Sequence, residues 1–554
     1  VKGMTTLPIM LLALCVGYFN FNIWGKHLEK TIAQPDDSRP TPAHYKRDDV
    51  DFAPQNKVVL LGSHWPAIAG AGPITGPAFA ALWGWLPGVV YLLVGSAILG
   101  TVHDYFAIMG SVRFGGETFG EYTQHILGSR ARAIIQIFAF VYMIGASAAF
   151  INTAAGSFAG IPQAVPCAII SVPVAVITGY LLYKKKVNPV PVTIVAIAII
   201  VGSIYYGFKM PPISIGLTTW RIILLIYVLF ASGLPVWALL VPRGYLNLYI
   251  LMAGLILGII SLLKSNLPLV LPAVYGFKSM LGMPLWPMMF VFLGCGAISG
   301  GHALLGTGPT SKQIDKETDV RFVAVGAFAL ELLIAITALL CMAAGTDSNF
   351  LVETMRTTGP APVFGKGFGT VVNAAFSAIP AELGTVIAMV WFNAFVMTTA
   401  ESLPRTGRCI FQEIMPDKPQ YSWFKSVVGA TICSTIIIAL LTFSSTVLEA
   451  LGNWLLADHL LGGAVLMILS TLILAWRGNP KLAFIPGCAL WFTTVVGGLY
   501  QVNGYISTGK WSIAIFSIVY ILLSVLVFAE VVKGLKDSNA IIERVQQQTS
   551  SFTA

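Results

Sequence analysis

Leu61-Gly-Ser-His-Trp-Pro-Ala-Ile-Ala-Gly-Ala-Gly-Pro-Ile-Thr-Gly-Pro77 is the stretch that decides how this chain is read. It is apolar enough to lie in a bilayer, yet seventeen residues hold three prolines and four glycines. In a helix interior a proline costs about 3 kcal/mol and a glycine about 1 kcal/mol, so one continuous helix is not expected here. Lipid satisfies no free amide or carbonyl. Unwound backbone at membrane depth therefore survives only where protein buries it or where it lines a wet cavity. A break near the midplane would offer its backbone groups to a solute or an ion.

The rest of the chain places that stretch in an all-α polytopic membrane protein. Of 554 residues, 56% are hydrophobic and 10% charged, with a mean hydropathy of +0.79, far from the balance of a soluble domain. Lys and Arg outnumber Asp and Glu by 33 to 24, but no basic stripe with interleaved aromatics points to nucleic acid. The seven cysteines, at 15, 167, 295, 341, 409, 433 and 488, include no C-x-x-C pair and read as small packing residues. About 15 transmembrane helices are expected, at 4–24, 58–81, 86–112, 133–157, 166–183, 190–208, 220–241, 247–263, 283–306, 322–345, 384–404, 426–448, 460–476, 483–501 and 512–532. The first is read as a retained span and not a signal peptide. The connecting loops alternate between two sides, and 25 of the 33 Lys and Arg fall on one of them. Retained basic residues mark the cytoplasmic face, so the N-terminus is expected outside and the C-terminus inside. The segment 346–383, rich in Gly and Pro, reads as an outer loop with a short surface helix, with a re-entrant element as the alternative.

Two further spans look interrupted: Ala231-Ser-Gly-Leu-Pro-Val-Trp237, and the Gly, Ser and Thr-rich run from Gly294 to Ser311. Proline kinks or close packing through small residues would also explain them. The spans 58–81 and 220–241 lie five apart with opposite orientation, as a five-plus-five inverted repeat with discontinuous helices requires. The expected organisation is an N-terminal helix and loop (1–57), a first repeat (58–208), an inverted second repeat (220–404), and peripheral C-terminal helices with a short cytoplasmic tail (405–554).

Helix fragments that restart after a break present free N–H groups and a positive dipole end, which suit an anion. A solute carboxylate is accordingly expected at Ala69, Gly70, Ala71 and Gly72, with Ser232 and Gly233 opposite, Trp65 or Trp237 covering it, and Ser299 contributed by the third interrupted span. An ionisable group in a span is costly and defaults to function. His64 beside the break suits proton exchange, or equally a neutral histidine bonded to a freed carbonyl; His103 with Asp104 suits an inner gate through Arg113 or Arg243, although a merely structural ion pair is the simpler reading. Thr310 and Ser311 suit a sodium ion or plain helix-end capping. Glu401, just before Arg405 and Arg408, suits an interfacial salt bridge. His302 and Cys295 share no helical face with another His or Cys, so no metal site and no cofactor are expected. Neither H-E-x-x-H nor G-x-S-x-G occurs, and the chain is not expected to be an enzyme. A channel for small carboxylates and a nutrient sensor are the alternatives to a carrier.

At these same stretches the sequence resembles the carbon starvation protein A family of bacterial inner membranes. The matching residues are Gly62-Ser-His-Trp-Pro-Ala-Ile-Ala-Gly-Ala-Gly-Pro73, Val102-His-Asp-Tyr105, Leu234-Pro-Val-Trp237, Pro242-Arg-Gly-Tyr-Leu-Asn247, Cys295-Gly-Ala-Ile-Ser-Gly300 with His302-Ala, and Thr398-Thr399 with Gly407-Arg408. The resemblance implies a fold similar to the amino acid–polyamine–cation transporters. It also implies proton-driven uptake of pyruvate or peptides, a small-molecule partner, during nutrient limitation. Glu401 stands where the family pattern is expected to carry Asp, and the C-terminal region is shorter than in larger members, which leaves the substrate open.

The charge map yields the first prediction. Single cysteines placed in loops 184–189 and 405–425 of a cysteine-free variant resist membrane-impermeant thiol reagents in intact cells. Ready labelling from outside reverses the assigned topology.

Overall fold

The computed structural model describes residues 3–48, 51–211, 214–234, 238–416, 418–537 and 539–545. Among them are helices and isolated bridges but no strand, the outcome forced on lipid-embedded backbone that cannot close a barrel.

The principal helices are α1 (Thr6–Ala33), α2 (Lys57–Ala69), α3 (Gly72–Ala80), α4 (Trp85–Arg113), α5 (Ser129–Gly160), α6 (Pro162–Leu182), α7 (Pro189–Lys209), α8 (Leu217–Gly233), α9 (Leu240–Ser265) and α10 (Leu285–Phe292). They continue as α11 (Gly300–Leu305), α12 (Asp319–Gly345), α13 (Ser348–Thr357), α14 (Pro360–Ala375), α15 (Ala381–Ile414), α16 (Val427–Phe443), α17 (Val447–Ala475), α18 (Lys481–Ser507) and α19 (Trp511–Lys536). Among the described residues eleven helices are long and apolar enough to cross a membrane. A twelfth is added if α16 and the short helix bent 68° away from it form one span. The other three of the fifteen expected spans correspond to the interrupted pairs α2/α3 and α10/α11 and to the 17-residue α8.

Local chemistry sets the helix starts. Asn56 and Asn188 accept from the amides two residues on, and Thr446 with Glu449 forms a reciprocal capping box at the head of α17. The interruption within 61–77 falls at Gly70, whose φ is +47°. This left-handed conformation suits a glycine. Pro66 is accommodated inside α2 and Pro73 in the first turn of α3, where its missing N–H costs nothing.

Two expectations change. The segment 346–383 is more than an outer loop with a short surface helix, because beside α13 it holds the mostly buried α14, which packs on α12 and α15. Its glycines allow backbones to touch. A Cβ on Gly367 would lie 2.6 Å from the Cys341 carbonyl oxygen of α12, and one on Gly369 would overlap the Ala381 carbonyl of α15. The composition that reads as loop is small-residue packing. The helix α17, in the region expected to be peripheral, is buried along its whole apolar window, wrapped by α5, α18 and α19. Hydropathy cannot tell a span that faces lipid from one enclosed by other spans.

The glycine packing is testable. Gly367→Ala drives a methyl into backbone that cannot yield and lowers stability by about 1–3 kcal/mol, read as a reduced Tm in detergent. Gly202→Ala on α7, where nothing lies within 4 Å of the added carbon, leaves Tm unchanged. Equal Tm values for the two variants contradict the packing of α14.

Candidate transport site

The break between α2 and α3 is met by a second break, Leu293–Ser299, between α10 and α11. Gly296 there has φ +91°, and turns close from the Ala297 and Ile298 amides onto the Gly294 carbonyl at 2.8 and 3.0 Å. The two breaks touch: a Cβ on Gly72 would overlap Cys295 Sγ and lie 3.3 Å from the Trp454 ring of α17. A Cβ on Gly70 would lie 3.0 Å from Phe150 of α5 and 3.4 Å from the Thr399 hydroxyl of α15. Three helices and the second break therefore converge on residues 70–72.

Each interrupted pair restarts as a helix whose first amides have no carbonyl within their own helix. At α11 the protein fills that place itself. Asp458 of α17, fully buried, accepts from the Gly301 amide at 3.0 Å, the Ser299 hydroxyl at 3.0 Å and the Tyr142 hydroxyl at 2.9 Å, all on Oδ1. Trp454 donates to the Tyr142 oxygen at 3.2 Å. Asp458 Oδ2 has no hydrogen-bond partner. At α3 no carboxylate among the described residues takes that role, and the positive end of the helix is left to Gly72 and its neighbours.

Beside this junction lies a chain of buried ionisable groups. His103 Nδ1 donates to Asp104 Oδ1 at 2.7 Å, and His302 Nδ1 donates to Asp104 Oδ2 at 2.9 Å. On its other side His302 Nε2 faces Glu331 Oε2 at 3.2 Å, in ion-pair contact without hydrogen-bond alignment. All four residues are at most 3% exposed. Cys295 Sγ, a His302 ring nitrogen and a Glu331 oxygen lie within 4.8 Å of one another. These are three donors where a structural zinc takes four, and we assign no metal to them.

The expected site residues divide accordingly. Ala69, Gly70, Ala71, Gly72 and Ser299 are brought to the junction. Trp65 is fully buried and stacks edge-on against Phe395, 6.4 Å between centroids. Ser232 and Gly233 lie elsewhere: Gly233 is exposed, and Arg405 of α15 donates to the Ala231 carbonyl at 3.0 Å and to the Leu234 carbonyl. Trp237 is outside the described residues. His64 Nδ1 shares a hydrogen bond of 2.9 Å with Thr310, and Ser311 bonds Ser111 at 2.8 Å. Both hydroxyls thus hold α11 and its continuation against α2 and α4. Asp104 pairs with neither arginine expected for it. Arg113 takes Glu317 at 3.0 Å, and Arg243 takes Glu401, with Tyr227 donating to the same carboxylate. Next to Arg243 a small cleft is lined by Cys167, Ser171, Asn247 and Asn393 among others.

Sequence reasoning missed Glu331 and Asp458. Glu331 stands alone in a long apolar run, the signal that marks an intramembrane charge as functional. Asp458 was lost by starting the thirteenth span two residues after it.

Residues 5–352 and 345–497 match the family model described as Carbon starvation protein CstA. The chain belongs to the CstA family. The peptide transporter CstA of Bacillus subtilis is 28% identical, over 96% of this chain and 97% of its own length. The pyruvate/proton symporter BtsT of Escherichia coli is 33% identical, over 61% of this chain and 49% of its own. Among solved structures, the manganese transporter of Eremococcus coleocola aligns over 88% of this chain and 97% of its own, with TM-score 0.45 and 14% identity, and no argument is placed on it. As a CstA-family member the chain is a multi-pass membrane protein and a secondary transporter, not an enzyme.

The Asp458 contacts predict a graded loss. Asp458→Ala strands the Tyr142 and Ser299 hydroxyls and the Gly301 amide in a dry interior. It costs about 1.5–3 kcal/mol for each charge-assisted bond removed, seen as a large fall in Tm. Asp458→Asn keeps one carbonyl acceptor and loses less. An Asp458→Ala variant as stable as wild type contradicts the anchoring role.

Proposed function

We propose that this CstA-family chain imports a small organic carboxylate, pyruvate or a short peptide, across the bacterial inner membrane, driven by protons, with its N-terminus outside. The observation that carries the reading is the contact between the two helix breaks at Gly72 and Cys295. Asp458 already occupies the restarted end of α11, so an anionic solute is left the amides at Gly70–Gly72 at the head of α3, with Thr399 and Ser299 alongside. That arrangement attracts a carboxylate without burying a fixed cation. The proton as coupling ion is supported by the relative named a pyruvate/proton symporter.

A five-plus-five inverted repeat is part of this proposal, with fifteen spans in all. The pairing that the packing supports is α2/α3 with α10/α11, α4 with α12, α5 with α15, α8 with α16 and α9 with α17. Each half opens with an interrupted helix bearing one positive-φ glycine at its break. The third members, α5 and α15, are the longest described helices, 32 and 34 residues, and pack on each other. As α9 packs against α2 and α12, α17 packs against α11 and α4. In this register the halves run 57–265 and 285–475, with α6 and α7 inserted in the first. The halves 58–208 and 220–404 expected from the sequence treat those two inserted helices as repeat members.

Gly72→Ala alone does not test the site, because its methyl collides with Cys295 whatever the glycine does. Paired with Cys295→Gly the collision is relieved. If the backbone at 70–72 is the ligand, the double variant folds, and uptake of labelled pyruvate and labelled dialanine into proteoliposomes under an imposed pH gradient falls at least tenfold. Cys295→Gly alone keeps most of its uptake. Wild-type uptake by the double variant removes the site from residues 70–72. Counterflow by internal unlabelled solute distinguishes a carrier from a channel.

A further inference from the structure

We propose that the coupling proton is carried by Glu331 and the His302 bridge that joins it to Asp104. This deepens the proton-driven reading and rests on it. Three structural elements meet at His302: its own α11, α4 through Asp104 at 2.9 Å, and α12 through Glu331 at 3.2 Å. Two carboxylates thus flank one imidazole, and none of their hydrogen-bond or ion-pair partners among the described residues is a lysine or arginine. With His302 protonated, His103 neutral and both carboxylates ionised, one negative charge stays uncompensated in a region at most 3% exposed. An unpaired buried charge is strongly unfavourable, so the cluster favours one further unit of positive charge. A single proton supplies it without a coordination shell.

Glu331 is the group placed to accept that proton. Both its oxygens are buried and neither makes a hydrogen bond, whereas Asp104 has both oxygens engaged by histidines. The other ionisable groups facing the cluster are His103 on α4, His64 on α2, Cys295 at the break, and Asp458 with His459 on α17. Of these, Asp458 is anchored by three donors at the head of α11.

The position explains how a proton would be tied to solute. His302 lies three residues past Ser299, at the start of the segment that follows the second break, and Cys295 in that break touches Gly72 at the proposed solute site. Any tilt of α11 that opens the solute site pulls His302 from one carboxylate. If Glu331 is ionised, that motion strands charge in the protein interior. If Glu331 has taken a proton from the outer side, it parts from His302 as a neutral acid and releases the proton when the bridge re-forms on the inner side. No bond other than O–H is made or broken.

The test uses the purified full chain in proteoliposomes, with labelled pyruvate and labelled dialanine as probes. Internal pH is recorded by a trapped dye, and counterflow is measured in parallel. Wild type is expected to acidify the lumen as solute enters. Glu331→Gln is expected to lose solute-dependent acidification and accumulation against a gradient, while counterflow, which needs no net proton movement, persists. Glu331→Asp, with its carboxyl drawn back by one methylene, is expected to shift the pH of half-maximal accumulation, and it serves if the glutamine variant does not fold. Accumulation and acidification by Glu331→Gln with a wild-type pH profile overturn the assignment. So does a transition metal bound one per chain in wild type and lost in Glu331→Gln, which would make the cluster a metal site. Solute accumulation by wild type without acidification instead removes proton coupling itself, and this assignment with it.

Discussion

Backbone that is not hydrogen-bonded has no place in hydrocarbon, and two segments of this chain, 70–72 and 293–299, break their helices in the middle of the molecule. Each unsatisfied amide or carbonyl there would cost several kcal/mol against lipid. Much of the architecture answers that cost. The interruptions are set against each other, walled by the long helices α5 and α15, and closed on a further side by α17, which is itself enclosed by α18 and α19. Asp458 reaches from α17 to cap one restarted helix. Helices α18 and α19 therefore have a physical task, which is to keep α17 and its carboxylate out of lipid.

Buried charge follows the same logic. Asp104, Glu331, Glu401 and Asp458 are all at most 2% exposed, and three have partners that account for them: paired histidines, an arginine with a tyrosine, and three neutral donors. Glu331 has only the edge of a shared imidazole. Each of the other three carboxylates has at least one oxygen hydrogen-bonded, whereas neither oxygen of Glu331 is, and the proposed coupling follows from that imbalance.

Membrane class, most spans and the first break were legible in the sequence because they depend on local properties: apolar length, proline and glycine. The partner of that break was not. Pro235 drew attention to 231–237, but proline and glycine mark many kinks, and the break that touches Gly72 carries no proline between Leu293 and Ser299. Ser232 and Gly233 were assigned to the site on spacing alone, whereas residues 231–234 lie beside Arg405. The proposed insertion of α6 and α7 is equally silent in hydropathy, since an inserted hairpin and a repeat member have the same composition. Glycines in 360–375 read as loop because sequence does not say whether a missing Cβ serves a turn or a close helix contact. What the residues did say, and was not followed, is Glu331, a lone acid in an apolar run.

The measurement that bears most directly on the central claim is an experimental structure of the full chain in lipid nanodiscs at saturating solute, with pyruvate and dialanine tried in turn. The account predicts solute density within hydrogen-bond reach of the amides at 70–72, against Cys295 and Trp454. Solute seated in the cleft of Arg243, Asn247 and Asn393, with residues 70–72 and 293–299 still closed on each other, would contradict it.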